Sequence, residues 1–139
     1  FYDALAEDKG VNLQLQGNAK LAGDRLMMRR ALSNLLSNAL RYTAEGRQIL
    51  VSVREHGTDA MIVVENEGEE IRPDLLPYIF DRFFRADKSR TRLDSDSVGL
   101  GLSITKAIVV AHGGKIAADC SGGKTRFTMT FPHGRLGLT

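Results

Sequence analysis

Asn34 and Asn38 stand four residues apart, with Arg41 three further on, inside a stretch whose apolar residues recur at helical spacing. Residues three and four apart share a helix face, so the three side chains project from one stripe. Asparagine is a mediocre helix former, and two of them on one stripe bordering an apolar face admit two readings. One is a solvated or side-chain-bonded face. The other is a polar site built on a rigid helix, where an amide oxygen ligates Mg²⁺, a hard cation that takes oxygen ligands and keeps several waters.

Gly99-Leu100-Gly101-Leu102 opens a second helical stretch after a loop. Glycines let backbone approach a ligand, and a helix N-terminus offers free N–H groups and a positive dipole to phosphate. Tight packing at a loop–helix junction is the plainer reading. Arg85 and Arg90 precede these glycines and are placed to fold over phosphates bound there, or else belong to a solubilising charged loop. Asn66-Glu67-Gly68-Glu69-Glu70 follows an apolar strand. A polar residue and a glycine at a strand end suit a ligand crevice, and an acidic turn is the alternative. The glutamates raise Ca²⁺, but the 12-residue Ca²⁺-loop pattern is absent. Lys106, Cys120 and the three histidines read as structural or surface residues, with His112 placed to interact with a helix C-terminal dipole.

The elements that must position these groups follow from periodicity. Phe1 to Lys9 has helical spacing closed by Gly10, and Val11, Leu13 and Leu15 alternate as a strand. Asp24 reads as the N-cap of a long amphipathic helix over Arg25 to Tyr42. Gln48 to Arg54 and Ala60 to Val64 form a hairpin about His56-Gly57-Thr58-Asp59. A short helical segment runs from Pro73 to Phe80, with Pro73 in its first turn. Arg82 to Val98, rich in charge and poor in periodic apolar residues, reads as a long mobile loop. The second helix ends near Gly113-Gly114, and strands Lys115 to Ala118 and Thr125 to Phe131 close one domain over residues 1–139. Strands and helices mixed in this order predict a two-layer α/β sandwich, one mixed sheet with three main helices on one face.

Composition narrows the function. The chain has 139 residues, a net charge of +2 and 42% hydrophobic residues, which suits one globular domain and gives no bulk charge for nucleic acid. One cysteine excludes an intrachain disulfide and a cysteine metal cage. The run Ala107 to Ala111 is far below the ~20 apolar residues that span a bilayer. The chain opens on Phe1, which reads as a piece of a longer protein whose other parts hold some partners.

Taken in order, the motifs resemble a family. Asn34 to Tyr42 resembles the N box, Val64 to Gly68 with the residues after it the first glycine box, and Phe80 to Arg85 the F box of the catalytic, ATP-binding domain of bacterial sensor histidine kinases. Gly99 to Leu102 resembles the second glycine box, and Gly113 to Ile116 and Gly123 to Phe127 the closing strands. These kinases belong to the wider GHKL, or Bergerat-fold, ATPase superfamily, which includes gyrase. Leu76 to Asp87, with Asn66, is most similar to the copper and heavy-metal sensor branch.

The resemblance implies an ATP pocket between the sheet and the N-box helix, with a lid at about 82–98. It implies that Asn38 ligates Mg²⁺, that Asn34 lies one turn away near the γ-phosphate, and that Arg41 and Tyr42 face phosphate and ribose. It places Asn66 on the adenine, Gly68, Ile71 and Thr125 along the nucleotide, and Arg85 and Arg90 on the phosphates. The amides of Gly99, Leu100, Gly101 and Leu102 cradle the phosphates; Asn34, Asn38 and Arg85 are the catalytic candidates. Asn66 replaces the family's usual aspartate, and Glu70, Ser97 and Lys124 stand where glycine is common.

The implied function is transfer of the ATP γ-phosphoryl group to a histidine on a separate dimerisation and phosphoacceptor domain of the same parent, with ATP and Mg²⁺ as cofactors and a response regulator downstream. The isolated domain is not expected to phosphorylate itself. The parent is expected to be anchored in the inner membrane with this domain in the cytoplasm. The rivals are a degenerate nucleotide-binding regulatory module and a serine-kinase anti-sigma factor.

Overall fold

The computed structural model describes residues 7, 10–17, 24–68, 70–81 and 100–132, with the side chains of Arg25 and Leu100 left aside. The helix expected over Phe1 to Lys9 and the loop expected over Arg82 to Val98 lie outside these residues, apart from residue 7. Five strands and two helices are described: β1 (Asn12–Gly17), α1 (Arg25–Tyr42), β2 (Gln48–His56), β3 (Asp59–Glu67), α2 (Leu100–Ala111), β4 (Lys115–Ser121) and β5 (Lys124–Pro132). The sheet order is β1-β2-β3-β5-β4; β1 lies parallel to β2, and every other pair is antiparallel.

Alternation along the strands sets the two faces of the sheet. Ala60, Ile62, Val64 and Asn66 on β3 are buried, as are Thr125, Phe127, Met129 and Phe131 on β5. Ala31, Leu35 and Ala39 on α1 and Ile108 and Val109 on α2 cover that face. Leu35 has no exposed surface, so truncation to alanine would cost roughly 2–5 kcal/mol. The opposite face carries a row of charge: Arg126 bonds Glu65 at 2.7 Å and Asp119 at 2.9 Å. Lys124 leans toward Glu65 on this same face, at 3.8 Å.

Asp24 caps α1 as its sequence position predicts, its Oδ1 accepting from the N–H groups of Leu26 at 2.9 Å and Met27 at 3.1 Å. The backbone N–H of Asp24 in turn donates to His112 Nε2 at 3.1 Å. His112 Nδ1 lies 2.8 Å from the Ile108 carbonyl and donates to it, which leaves Nε2 as the acceptor. His112 thus meets a carbonyl in the last turn of α2, as its position at that helix end predicts, and also links the end of α2 to the start of α1, which run antiparallel. The segment around Pro73 to Phe80 differs from expectation. It is a turn followed by a 3₁₀ element at Leu76–Tyr78, with Pro77 and not Pro73 inside it. Pro77 has no N–H to donate, and i→i−3 bonds such as Tyr78 N–H to Leu75 O at 2.9 Å tighten the chain instead.

Candidate functional site

The site lies along one side of α1, between two joints to the rest of the fold. At the first joint the Asn34 amide donates to the Gly101 carbonyl at 3.3 Å, and Thr105 Oγ1 donates to the same oxygen at 2.8 Å. The N-box helix and the first turn of α2 are thereby tied together, and Leu102 packs on the core beside them. Thr105 is fully buried and was not singled out from the sequence. Its signal was a hydroxyl in an apolar helical stripe, four residues after Gly101, where threonine bonds back to a carbonyl.

At the second joint the end of α1 meets the end of β3. Gly68 lies so close to the Tyr42 carbonyl that a Cβ at this position would stand 2.4 Å from the oxygen. Only glycine fits this approach without displacing backbone, and Gly68 pairs there with Thr43. Thr43 itself is buried, its hydroxyl donating to Ala39 O at 2.5 Å. Asn38 and Arg41 lie on α1 between the joints, both half-buried. Asn34 to Tyr42 is eight residues, so the joints are separated by about 12 Å of helix.

Around the second joint the sheet contributes a row of side chains. Ile49 on β2, Asn66 on β3, Thr125 on β5 and Cys120 on β4 stand directly opposite one another across four strands. Asn66 is 3% exposed and Thr125 4%. Thr125 Oγ1 lies 3.4 Å from Cys120 Sγ. Among the described residues, Asn66 Nδ2 is buried without a hydrogen-bond partner. An orphaned buried donor of this kind costs about 1–3 kcal/mol and marks a place where a ligand acceptor is favoured. Ile71 packs on the core beyond Gly68. Phe80 meets Phe127 edge to face, with ring centroids 6.0 Å apart and planes at 83°, anchoring the start of the F-box stretch to the sheet.

The structure therefore brings Asn66, Gly68, Thr125 and Tyr42 to one end of α1, and Asn34 and Gly101 to a point about two turns away. Arg85, Arg90, Gly99 and Ser97 lie outside the described residues, and Leu100 is placed by its backbone alone. Lys124 points to the outer face with Glu65, so its departure from glycine does not alter the inner row. Glu67 and Glu70 accept backbone N–H groups, from Gln48 at 3.0 Å and Gly123 at 2.5 Å. Among the described residues no group of three or more His, Cys, Asp or Glu side chains is arranged to hold a metal ion. Asp74 and Arg126 titrate away from their ordinary ranges, but both stand apart from this row. The Arg72 hydrogen bond holds Asp74 low, and the hydrogen bond to Glu65 raises Arg126.

Residues 23–135 match the family described as histidine kinase-, DNA gyrase B-, and HSP90-like ATPase. The chain is 51% identical over 134 residues to the sensor histidine kinase CusS of Escherichia coli O157:H7, covering 96% of this chain and 28% of that protein. It is 44% identical over 136 residues to the probable sensor kinase SilS of Salmonella typhimurium, covering 96% and 27%. The chain thus spans under a third of the length of these relatives. Among solved structures, the nucleotide-free catalytic domain of histidine kinase ThkA superposes with a TM-score of 0.81 at 26% identity, over 95% of this chain and 85% of that one. ThkA in complex with the response regulator protein TrrA superposes with a TM-score of 0.77 at 25% identity, over 95% and 37%.

Proposed function

Because the chain belongs to the histidine kinase-, DNA gyrase B- and HSP90-like ATPase family, as the ATP-binding catalytic domain of its sensor histidine kinases, we propose that it delivers the γ-phosphoryl group of ATP to a histidine on a separate domain of its parent. The observation that carries the base end of this reading is the buried, unpartnered Nδ2 of Asn66 in line with Thr125. An asparagine amide sets an acceptor beside a donor, which matches the adjacent donor and acceptor on an adenine edge. Guanine sets its 6-oxo group against the amide oxygen instead. Aspartate, usual in the family here, offers acceptors alone. Asn66 thus keeps the contact to the adenine amino group and gains a second one.

At the other end, the first turn of α2 presents backbone N–H groups and its positive dipole to phosphate. The lid arginines Arg85 and Arg90 add charge-assisted contacts. The amide oxygen of Asn38 would hold Mg²⁺, which would supply positive charge to neutralise the transferring group. The chain's own part is positional. Asn34 ties α1 to α2, so the residues that meet phosphate are fixed relative to those that meet the base. In the reaction the bond from the γ-phosphorus to the bridging oxygen breaks, a bond from phosphorus to an imidazole nitrogen forms, and ADP leaves.

The ThkA complex supports a response regulator as the downstream partner. The similarity to CusS and SilS supports a sensor kinase as the parent, and the proposal extends to the copper and heavy-metal sensor branch and to a membrane-anchored parent with this domain in the cytoplasm. No helix among the described residues is long and apolar enough to cross a membrane. The test is incubation with labelled ATP and a supplied acceptor domain. Acid-labile phosphate should appear on the acceptor and none on this chain. ATP binding without transfer would favour the regulatory module, and phosphoserine on the acceptor would favour the anti-sigma reading.

A further inference from the structure

We infer that Glu67 and Glu70 are positioning residues, a pair of carboxylate clamps that hold the end of β3, and with it Asn66, from both flanks. On one side the β2–β3 register ends at Ile49 opposite Asn66, so Gln48 comes next, opposite Glu67. In place of a backbone rung there, Glu67 Oε1 accepts the Gln48 N–H at 3.0 Å. On the other side the β3–β5 register ends at Glu67 opposite Lys124. It is extended by Gly68 N–H donating to Gly123 O at 3.1 Å. Gly123 is the second residue of the two-residue turn joining β4 to β5, where both glycines have positive φ, 60° and 77°. In such a hairpin turn the N–H of this residue is not needed by the ladder. Glu70 Oε2 takes it at 2.5 Å.

Glu67 and Glu70 therefore serve strand-end pairing. Glu67 takes the place of a hydrogen bond that the sheet has run out of backbone to make, and Glu70 takes an N–H that the hairpin turn leaves free. The residues between the clamps include Gly68, wedged against Tyr42 O. Removing either clamp leaves this connection held from one side, and Asn66 lies one residue before Glu67. Glycine, common in the family at position 70, has no group that could take the Gly123 N–H.

This inference rests on the adenine reading of Asn66, and the experiment separates the two. Affinities of the 139-residue chain for adenosine, MgATP and magnesium tripolyphosphate are measured by calorimetry, with amide exchange at Gln48 and Gly123 followed by NMR. Combining Glu67→Ala and Glu70→Ala should weaken adenosine and MgATP equally, by about tenfold, and leave tripolyphosphate unchanged. Glu67→Gln and Glu70→Gln, whose amide oxygens still accept, should return adenosine to within about threefold of the unaltered chain. The single alanine variants, each lacking one clamp, keep the test readable if the pair unfolds. Unchanged adenosine affinity in the alanine variants, or an equal loss for tripolyphosphate, overturns the inference. If the unaltered chain binds no adenosine, the adenine reading fails instead. Amide exchange then decides the clamps: faster exchange upholds them and unchanged exchange overturns them.

Discussion

Asn66, Gly68 and Thr125 come from strand ends braced on both flanks, whereas Asn34 and Gly101 come from two helices joined through side-chain contacts to one carbonyl. By the resemblance, the strand-built end departs from the family pattern at Asn66, Glu70 and Lys124, and the helix-built end keeps it at Asn34, Asn38 and Gly101 while departing at Ser97, outside the described residues. Under the proposed function, the difference follows from what each end would recognise. A base edge is a pattern of neutral donors and acceptors, and several side chains can satisfy it if the backbone is held still. A polyphosphate is concentrated charge, and few groups other than amide oxygens on metal, backbone N–H groups and arginines can meet it.

The largest expected effect separates the ends cleanly. Asn38→Ala should weaken MgATP by about a hundredfold, the loss of a metal ligand amounting to roughly 3 kcal/mol, and leave adenosine untouched. Calorimetry with Mg²⁺ and again with excess chelator checks this; equal affinities for the variant and the unaltered chain in Mg²⁺ would remove Asn38 from the metal. Next comes Asn66→Ala, expected to cost about tenfold on ATP and adenosine alike and to narrow the ATP-to-GTP difference, while Asn66→Asp retains it. The free chain should not lose stability, because the substitution also removes an unsatisfied donor. A lower melting temperature with unchanged affinity for both nucleotides would make Asn66 a turn residue.

The helix-built end was the more legible in sequence. The spacing of Asn34, Asn38 and Arg41 fixes a shared stripe once α1 is recognised, and α1 runs from Arg25 to Tyr42 with Asp24 as its cap, as its periodicity predicts. Alternation likewise placed Asn66 in phase with Ile62 and Val64. The strand-built end depends on contacts that periodicity does not encode. Glu70 and Gly123 are 53 residues apart, and a carboxylate accepting a backbone N–H leaves no residue-type signature at the donor. The same holds for Asp24 and His112, 88 residues apart, where a histidine at a helix end suggested a dipole contact and the fold supplied a second helix. The turn before the F box was misplaced because two prolines compete there, and only Pro77 falls within the 3₁₀ element.

A smaller effect tests whether the helix joint transmits between the ends. Asn34→Ala removes the bond to Gly101 O, while Thr105 still satisfies that oxygen. Loss of one part-buried hydrogen bond should cost about 0.5–1.5 kcal/mol of stability in chemical denaturation. If the joint aligns the two ends, MgATP should weaken by about threefold with adenosine unchanged. Equal losses for both ligands would mean that α1 moves as a whole and that the two ends are not independently built.

The smallest effect belongs to charge outside both ends. Asp74 is held low chiefly by the Arg72 hydrogen bond, in a pair 2.7 Å apart whose side chains are 72% and 61% exposed. A carboxylate with a lowered folded pKa stabilises the fold above its unfolded value, 3.8 here, and that contribution is lost as pH falls through the lowered value. Arg126 has its pKa raised, chiefly by the hydrogen bond to Glu65, so its contribution is fully present through the neutral range and is lost only in strong base. Neither group should therefore give stability any slope between about pH 5 and 9. Arg72→Ala should lower stability slightly above about pH 4, with the difference vanishing as pH falls through the lowered Asp74 value, and because the pair is exposed the difference should shrink as salt is raised toward about 1 M. Adenosine and MgATP should bind the variant as they bind the unaltered chain. A change in adenosine affinity alone would extend the strand-built end beyond Ile71 to the turn that carries Arg72 and Asp74.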